Sequence, residues 1–184
     1  MNTFRGFIAI DIDTNSKIKE LIQAIKKIQA DVKLVEPENI HITLKFLGDV
    51  HEERIRDIES IIANACKNSK PFTINLVGTG VFPNQNYVKV IWIGIEDITL
   101  IEPIATYIND NLVNLGFKKD NRLFSPHITI GRVRTAKNKQ ELIALIQQFQ
   151  NVEFGKQDIN SIKLMKSVLT PKGPIYSIVK ELSL

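Results

Sequence analysis

The sequence predicts an α+β protein of two lobes, related by a pseudo-twofold axis, that face each other across a cleft. Each lobe is expected to have a central antiparallel-type sheet with outer helices. Three observations support this fold class. Short β-branched runs alternate with longer segments of helical periodicity. The same order of elements occurs twice, offset by the 86 residues that separate His41 from His127. A chain of 184 residues, 43% of them hydrophobic, can bury one sizeable core or two small lobes that share one.

The first half opens with an apolar run at residues 4–11, which is typical of a buried strand. Residues 16–29 place isoleucine and leucine at helical spacing with lysines around the other side, which predicts an amphipathic helix. A short strand at 32–35 and a turn at Pro37 follow. Residues 40–47 are β-branched and apolar, which predicts a second long strand.

A helix at residues 52–66 and a half-exposed strand at 72–77 come next, and the glycines, proline and asparagine of 78–84 are typical of a loop. The remaining predicted elements are a strand at 87–95, a helix at 100–115, a strand at 127–133, a helix at 138–149, and strands at 159–169 and 175–182 joined by a turn at 171–174.

Each half carries one copy of the tripeptide His-Ile-Thr inside a predicted strand. Side chains two residues apart in a strand point to the same face, so each copy presents an imidazole beside a hydroxyl and turns its isoleucine toward the core. One copy alone is a weak signal, because such a pattern occurs by chance in half-buried strands. Two copies at equivalent points of a repeat favour function. They are His41-Ile42-Thr43 and His127-Ile128-Thr129.

Two imidazoles and two hydroxyls in one cleft suit the cleavage of a phosphodiester. A neutral imidazole accepts a proton from the attacking water, and a protonated one donates a proton to the departing sugar oxygen. With a pKa of about 6.5, imidazole reaches both forms near neutral pH. Threonine hydroxyls can donate to the phosphoryl oxygens. No metal or other cofactor is predicted, because the chain has only three histidines and no HExxH, CxxC or Asp-rich loop. The third, His51, is interpreted as a solvated or capping residue.

At these residues the chain resembles the 2H phosphoesterases, and within them the RNA 2′,3′-cyclic phosphodiesterases that are also called 2′-5′ RNA ligases. The similar segments follow in order along the chain, at 7–11, 38–48, 81–83, 90–92, 125–132 and 166–176. The resemblance implies a bilobal fold with a central cleft, and hydrolysis of a 2′,3′-cyclic phosphate to a 2′-phosphate. It implies that His41 is the proton donor, that His127 is the proton acceptor, and that Thr43 and Thr129 hold the phosphate. Ligation would be the reverse reaction, with a ribose hydroxyl in place of water.

Four further residues are predicted to contact substrate. Lys45 shares the His41 face by alternation and could supply positive charge, although a solvated lysine fits equally well. Arg132 falls on the face opposite His127 unless the strand ends or bulges, so it is either a phosphate ligand or a rim residue. Phe46 occupies the equivalent position of the first half, where core packing is favoured over base stacking. Arg122 either reaches the RNA backbone or is an ordinary surface arginine.

The net charge of +4 leans mildly toward an anionic partner, and the partner that the site implies is RNA with 2′,3′-cyclic phosphate ends. Intermediates of tRNA splicing are one candidate substrate, and general RNA repair or turnover is another. No signal peptide or membrane span is predicted, so we expect a cytoplasmic protein that acts as a monomer. The alternative is a non-catalytic nucleotide- or RNA-binding module on the same fold. The two intact tripeptides favour the enzyme.

Overall fold

The computed structural model describes residues 2–171 and 173–184. Met1 and Lys172, a member of the predicted turn between the closing strands, lie outside the described residues. Within the described range the chain forms four α-helices and nine strands, which confirms the α+β prediction. The helices are α1 (Ser16–Ile28), α2 (Ile55–Cys66), α3 (Ile101–Asn111) and α4 (Lys139–Gln148). The strands are β1 (Thr3–Asp11), β2 (Val32–Leu34), β3 (His41–His51), β4 (Phe72–Asn84), β5 (Tyr87–Ile95), β6 (His127–Val133), β7 (Glu153–Ile159), β8 (Ser161–Thr170) and β9 (Gly173–Ser183).

The strands form one curled antiparallel sheet in the order β7-β4-β5-β6-β3-β1-β8-β9, with β2 beside β6. The contact between β3 and β6 lies at the centre of this order, and Ile42 pairs there with Ile128. Three further strands of this order lie on either side of that pair. The two halves that the repeat predicted therefore share a continuous sheet, and the tripeptides meet where the halves join.

The helices cover one face of the sheet. α1 and α4 pack together over β7 and β4, and α2 and α3 pack together over β9 and β3. The isoleucine side chains of the two tripeptides are fully buried on this face, as predicted. Each buried isoleucine stabilises the fold by about 1.5–3 kcal/mol, so packing on the helix-covered face fixes the two central strands. The histidines consequently point to the face that the helices leave open.

Local signals explain how α1 is placed. The Asn15 side chain accepts a hydrogen bond from the Ile18 backbone amide at 3.0 Å, which caps the first turn. The Asn15 amide also donates to the Phe154 carbonyl at 2.6 Å and so joins the helix start to β7. Ile18, Leu21 and Ile25 then form the buried face. The cap and the apolar stripe together fix both the start and the orientation of the helix.

One prediction about the middle of the chain was wrong, and one strand near its end was missed. The predicted loop at 78–84 is part of β4, because Gly78 forms a bulge with a φ of 73° and its amide donates to the Val152 carbonyl at 2.9 Å. Strand β7 was not predicted, since Gly155 and several polar side chains interrupt its apolar pattern. Its inward residues, Phe154 and Ile159, are nevertheless buried. Pairing with β4 overrides the weak local signal.

Candidate active site

The two histidines occupy the first positions of the two central strands. Because Ile42 pairs with Ile128 in an antiparallel register, His41 lies beside Thr129 and Thr43 lies beside His127. His41 and His127 are therefore diagonal neighbours, a relation that places side chains roughly 7–8 Å apart. A phosphate group fits between two imidazoles at that separation. The geometry brings together the four residues that the tripeptides predicted.

Each imidazole is held by a backbone carbonyl two residues before it. His41 Nδ1 lies 2.7 Å from the Asn39 carbonyl oxygen, and His127 Nδ1 lies 2.8 Å from the Ser125 carbonyl oxygen. A carbonyl only accepts, so both Nδ1 atoms carry hydrogen and donate. The other ring nitrogen, Nε2, is then the atom that gains or loses a proton. In His41 this atom lies 3.0 Å from Thr43 Oγ1.

The environment of His41 favours its neutral form. Burial lowers the pKa of His41 below the ordinary 6.5 of an imidazole, and the nearby charges of His127 and Arg132 lower it further. The hydrogen bond to Asn39 and the carboxylate of Asp11 act in the opposite direction. Asp11 is the partner of His41 in the ladder between β1 and β3. A bound phosphate anion would add a second negative charge and so favour the imidazolium form of His41.

Aromatic side chains surround both imidazoles. The rings of Phe7 and Tyr176 have their centroids 5.0 and 5.5 Å from that of His41. Phe82 meets His127 edge-on at 4.9 Å. These contacts restrict the ring orientations and exclude water from one side of each histidine. The sequence did not single out these three residues as site residues, since only strand order brings β1, β4 and β9 beside the tripeptides.

A bulge at the same point of each central strand decides where the later side chains lie. In the β1–β3 ladder, Thr43 and Lys45 pair with adjacent residues of β1, so one residue of β3 between them is extra. In the β5–β6 ladder, Thr129 and Gly131 likewise pair with adjacent residues of β5. The extra residue in each strand reverses the alternation after it. Arg132 consequently lies on the histidine face. Whether it binds phosphate or is a rim residue stays a prediction.

Phe46 follows the equivalent bulge in β3 and also lies on the histidine face. Its side chain is 66% exposed, and its ring centroid is 6.3 Å from that of Phe7. The core packing that was favoured for Phe46 is therefore wrong. An exposed aromatic ring at the end of the cleft is available to stack on a base.

The predicted position of Lys45 on the His41 face was wrong as well. The same bulge turns Lys45 toward the helices, where only 7% of the residue is exposed. Its Nζ donates to Asn109 Oδ1 at 2.6 Å and to the Lys118 carbonyl at 2.7 Å. Burial lowers the pKa of Lys45, and the charge of Asp120 opposes that effect. Lys45 thus ties α3 to the segment that leads into β6.

Arg122 lies on that same segment with an exposed side chain. Its guanidinium donates to Asp120, from Nη2 to Oδ2 at 2.6 Å and from Nε to Oδ1 at 3.0 Å. These hydrogen bonds hold the pKa of the Asp120 carboxyl well below its usual range. A contact between Arg122 and RNA stays a prediction. His51, at the end of β3, is exposed, in line with its interpretation as a solvated residue.

No group of three or more histidine, cysteine, aspartate or glutamate side chains in the described part of the chain could hold a metal ion. Cys66, the single cysteine, is buried on α2. No helix among the described residues is long and apolar enough to cross a membrane.

Comparison with known proteins gives a consistent result. A family model described as the AKAP7 2′5′ RNA ligase-like domain matches residues 6–184. The RNA 2′,3′-cyclic phosphodiesterase of Methanocaldococcus jannaschii is 46% identical over 182 residues, which cover 96% of this chain and 99% of that protein. The enzyme of the same name from Methanothermobacter thermautotrophicus is 39% identical over 175 residues, covering 94% and 95%.

Two solved structures share the fold over almost their whole length. TT0787 of Thermus thermophilus superposes with a TM-score of 0.81 at 26% identity and covers 98% of this chain and 97% of its own. E. coli LigT in complex with 3′-AMP gives a TM-score of 0.75 at 23% identity, with coverage of 100% and 99%. At this identity the second likeness supports the fold alone.

Proposed function

This chain belongs to the AKAP7 2′5′ RNA ligase-like family of 2H phosphoesterases, and from that premise we propose that it hydrolyses RNA 2′,3′-cyclic phosphates to 2′-phosphates. One observation carries the proposal. His41 and His127, each with its threonine, face one cleft at the point where the two halves of the sheet join. The full-length relatives named RNA 2′,3′-cyclic phosphodiesterase support the same activity.

The proposed reaction uses one proton transfer at each histidine. His127 Nε2 accepts a proton from water as the water oxygen attacks phosphorus. The bond from phosphorus to O3′ breaks, and His41 Nε2 donates its proton to O3′. The product has a 2′-phosphate and a free 3′-hydroxyl, and exchange with solvent restores both rings. Acid–base catalysis of this kind contributes about 10²–10⁴-fold for each group. The assignment of donor and acceptor comes from the family resemblance.

Hydroxyl and guanidinium groups would stabilise the charge that develops on the phosphate. While His41 is neutral, Thr43 can donate its hydroxyl hydrogen to Nε2, 3.0 Å away. Once His41 is protonated, its Nε2–H is the donor for O3′, and the Thr43 hydroxyl hydrogen is free to bind a phosphoryl oxygen. Thr129 would donate its hydroxyl to the same phosphate from the second tripeptide. Arg132, on the same face, would contribute its positive charge to the whole cleft rather than a contact to the reacting phosphate.

The experiment incubates the protein, in EDTA, with an RNA that ends in a 2′,3′-cyclic phosphate, and identifies the product ends. We expect a 2′-phosphate. Loss of turnover in EDTA would contradict a reaction carried by the two histidines alone. Tight binding without turnover would favour the non-catalytic RNA-binding module. Adding an RNA with a free hydroxyl end tests the reverse reaction, which would form a 2′-5′ bond.

We also propose an oligomeric state, a location and a cellular substrate for the enzyme. All the described site residues come from one chain, so we propose a monomer, which light scattering on a sizing column would test. We propose a cytoplasmic location and a substrate among cellular RNAs with cyclic phosphate ends, with tRNA splicing intermediates as one candidate. Sequencing of RNAs with cyclic phosphate ends from cells that lack the protein would identify that substrate.

A further inference from the structure

We propose that Lys33, together with Arg132, binds the internucleotide phosphate on the 5′ side of the nucleotide that carries the cyclic phosphate. The inference rests on the proposed function and deepens it, because it makes the enzyme selective for RNA ends over isolated cyclic nucleotides. Lys33 lies on β2, outside both tripeptide strands, and takes no part in the proton transfers.

The register of β2 places Lys33 on the histidine face. β2 pairs with β6 so that Lys33 lies directly opposite Arg132. Opposed residues of an antiparallel pair point to the same face, with Cβ atoms about 4.5–5.5 Å apart. The bulge in β6 has already turned Arg132 toward the cleft, and its charge acts on both His41 and Tyr176. Val32 and Leu34, the neighbours of Lys33, pack against the core on the other face.

The Lys33 side chain reaches the start of β9. Lys33 is half-buried. Its Nζ lies next to Gly173 in the β8–β9 hairpin, and a Cβ added to that glycine would be 3.1 Å from the Nζ. The ion pairs formed by residues 2–171 and 173–184 involve neither Lys33 nor Arg132. Two adjacent cations without carboxylate partners repel each other, and an anion between them relieves that repulsion.

The direction of the strands indicates which phosphate would lie there. His41 lies beside Thr129. Thr129 lies between His127 and Arg132 along β6, so His41 is displaced from His127 in the direction of Arg132. In the proposed reaction O3′ departs toward His41, so the ribose of the terminal nucleotide lies on that side and water lies on the side of His127. The RNA chain continues from this ribose through its 5′ oxygen. Its next phosphate therefore falls toward Arg132 and Lys33.

Three substrates distinguish binding of the internucleotide phosphate from a general effect of Lys33 on activity. They are a short RNA that ends in a 2′,3′-cyclic phosphate, a nucleoside 2′,3′-cyclic phosphate with a 5′-hydroxyl, and the same nucleoside with a 5′-phosphate. The values of kcat and KM are measured for the wild type, Lys33→Met and Lys33→Arg. Lys19→Met removes the same charge from the exposed face of α1 and serves as the matched control.

We expect Lys33→Met to lower kcat/KM by about 10- to 100-fold for the RNA and for the 5′-phosphorylated nucleoside, the range of one charged hydrogen bond. The 5′-hydroxyl nucleoside should show no change. The slope of log KM for RNA against log salt concentration should fall by about 0.7, the value for one phosphate contact on a single strand. Lys33→Arg should retain most of the wild-type rate, and Lys19→Met all of it.

Equal losses on all three substrates would overturn the inference, because a lysine that only supports the hairpin affects each of them alike. Unchanged rates on all three would overturn it too. Either result leaves the proposed function standing. A wild-type protein that turns over none of the three substrates would instead contradict the proposed function.

Discussion

Replacing Lys45 with methionine tests whether this buried cation supports the fold or binds the substrate. Methionine has a similar length and fills the same volume, but it removes both hydrogen bonds that Nζ donates, to Asn109 Oδ1 and to the Lys118 carbonyl. Asn109 Oδ1 retains the backbone amide of Asp120 at 2.9 Å as a donor. The Lys118 carbonyl loses the donor that Lys45 supplied.

A hydrogen bond donated by a charged group contributes about 1.5–3 kcal/mol, and methionine offsets part of this loss because it avoids the desolvation of a charge. We therefore expect the free energy of unfolding to fall by about 2 kcal/mol. For a domain of this size that corresponds to a fall in Tm of about 4–8 °C. Thermal unfolding followed by circular dichroism measures the change directly.

Two further measurements test the structural role of Lys45. Asn109→Ala and the double variant complete a cycle, in which the two losses should fail to add because the side chains share a hydrogen bond. The dependence of KM on salt should stay at the wild-type slope. If Lys45→Met melts at the wild-type temperature while that slope becomes shallower, Lys45 is a substrate ligand and its structural assignment is wrong.

The remaining predictions concern the histidines, a neighbouring carboxylate and two glycines. His41→Ala and His127→Ala should each lower kcat by about 10²–10⁴-fold at an unchanged Tm, whereas near-wild-type activity in either would contradict acid–base catalysis. The Asp11 carboxylate raises the pKa of His41 against the larger effect of burial, so Asp11→Asn should move the alkaline limb of the pH profile of kcat/KM to lower pH. A limb that stays or moves upward counts against His41 as the proton donor. Gly78→Ala should destabilise the fold more than Gly48→Ala in urea unfolding, because both have positive φ but only a Cβ at Gly78 meets backbone. Equal losses of stability in the two variants would show that the positive φ alone sets the cost of each substitution.

Protonation of His41 also makes the stability of the fold depend on pH. The pKa of His41 is lower in the folded protein than the ordinary 6.5, so the unfolded chain binds more protons between the two values. The contribution of His41 to stability is therefore fully present above pH 6.5 and is lost as the pH falls through the folded value. Asp11→Asn should widen that window, since it lowers the folded value further.

Much of the fold followed from local patterns. The amphipathic spacing of α1 and the β-branched runs of β3 and β6 identified these elements, because a half-buried helix or strand has to repeat its apolar side chains with the period of its backbone. The same reasoning failed at β4 and β7. There glycines with positive φ interrupt the pattern, and pairing with neighbouring strands maintains the strand.

By itself, the sequence determined the two imidazoles, the hydroxyl beside each, and the buried isoleucine between them, because alternation over three residues is a local property of a strand. Only the tertiary structure decided what lies around them. Strand order brought Phe7, Phe82 and Tyr176 to the histidines. A bulge in each central strand sent Lys45 into the core and Arg132 into the cleft. A one-residue bulge arises from pairing between distant strands, so no count along the chain could show on which face the residues beyond it would lie.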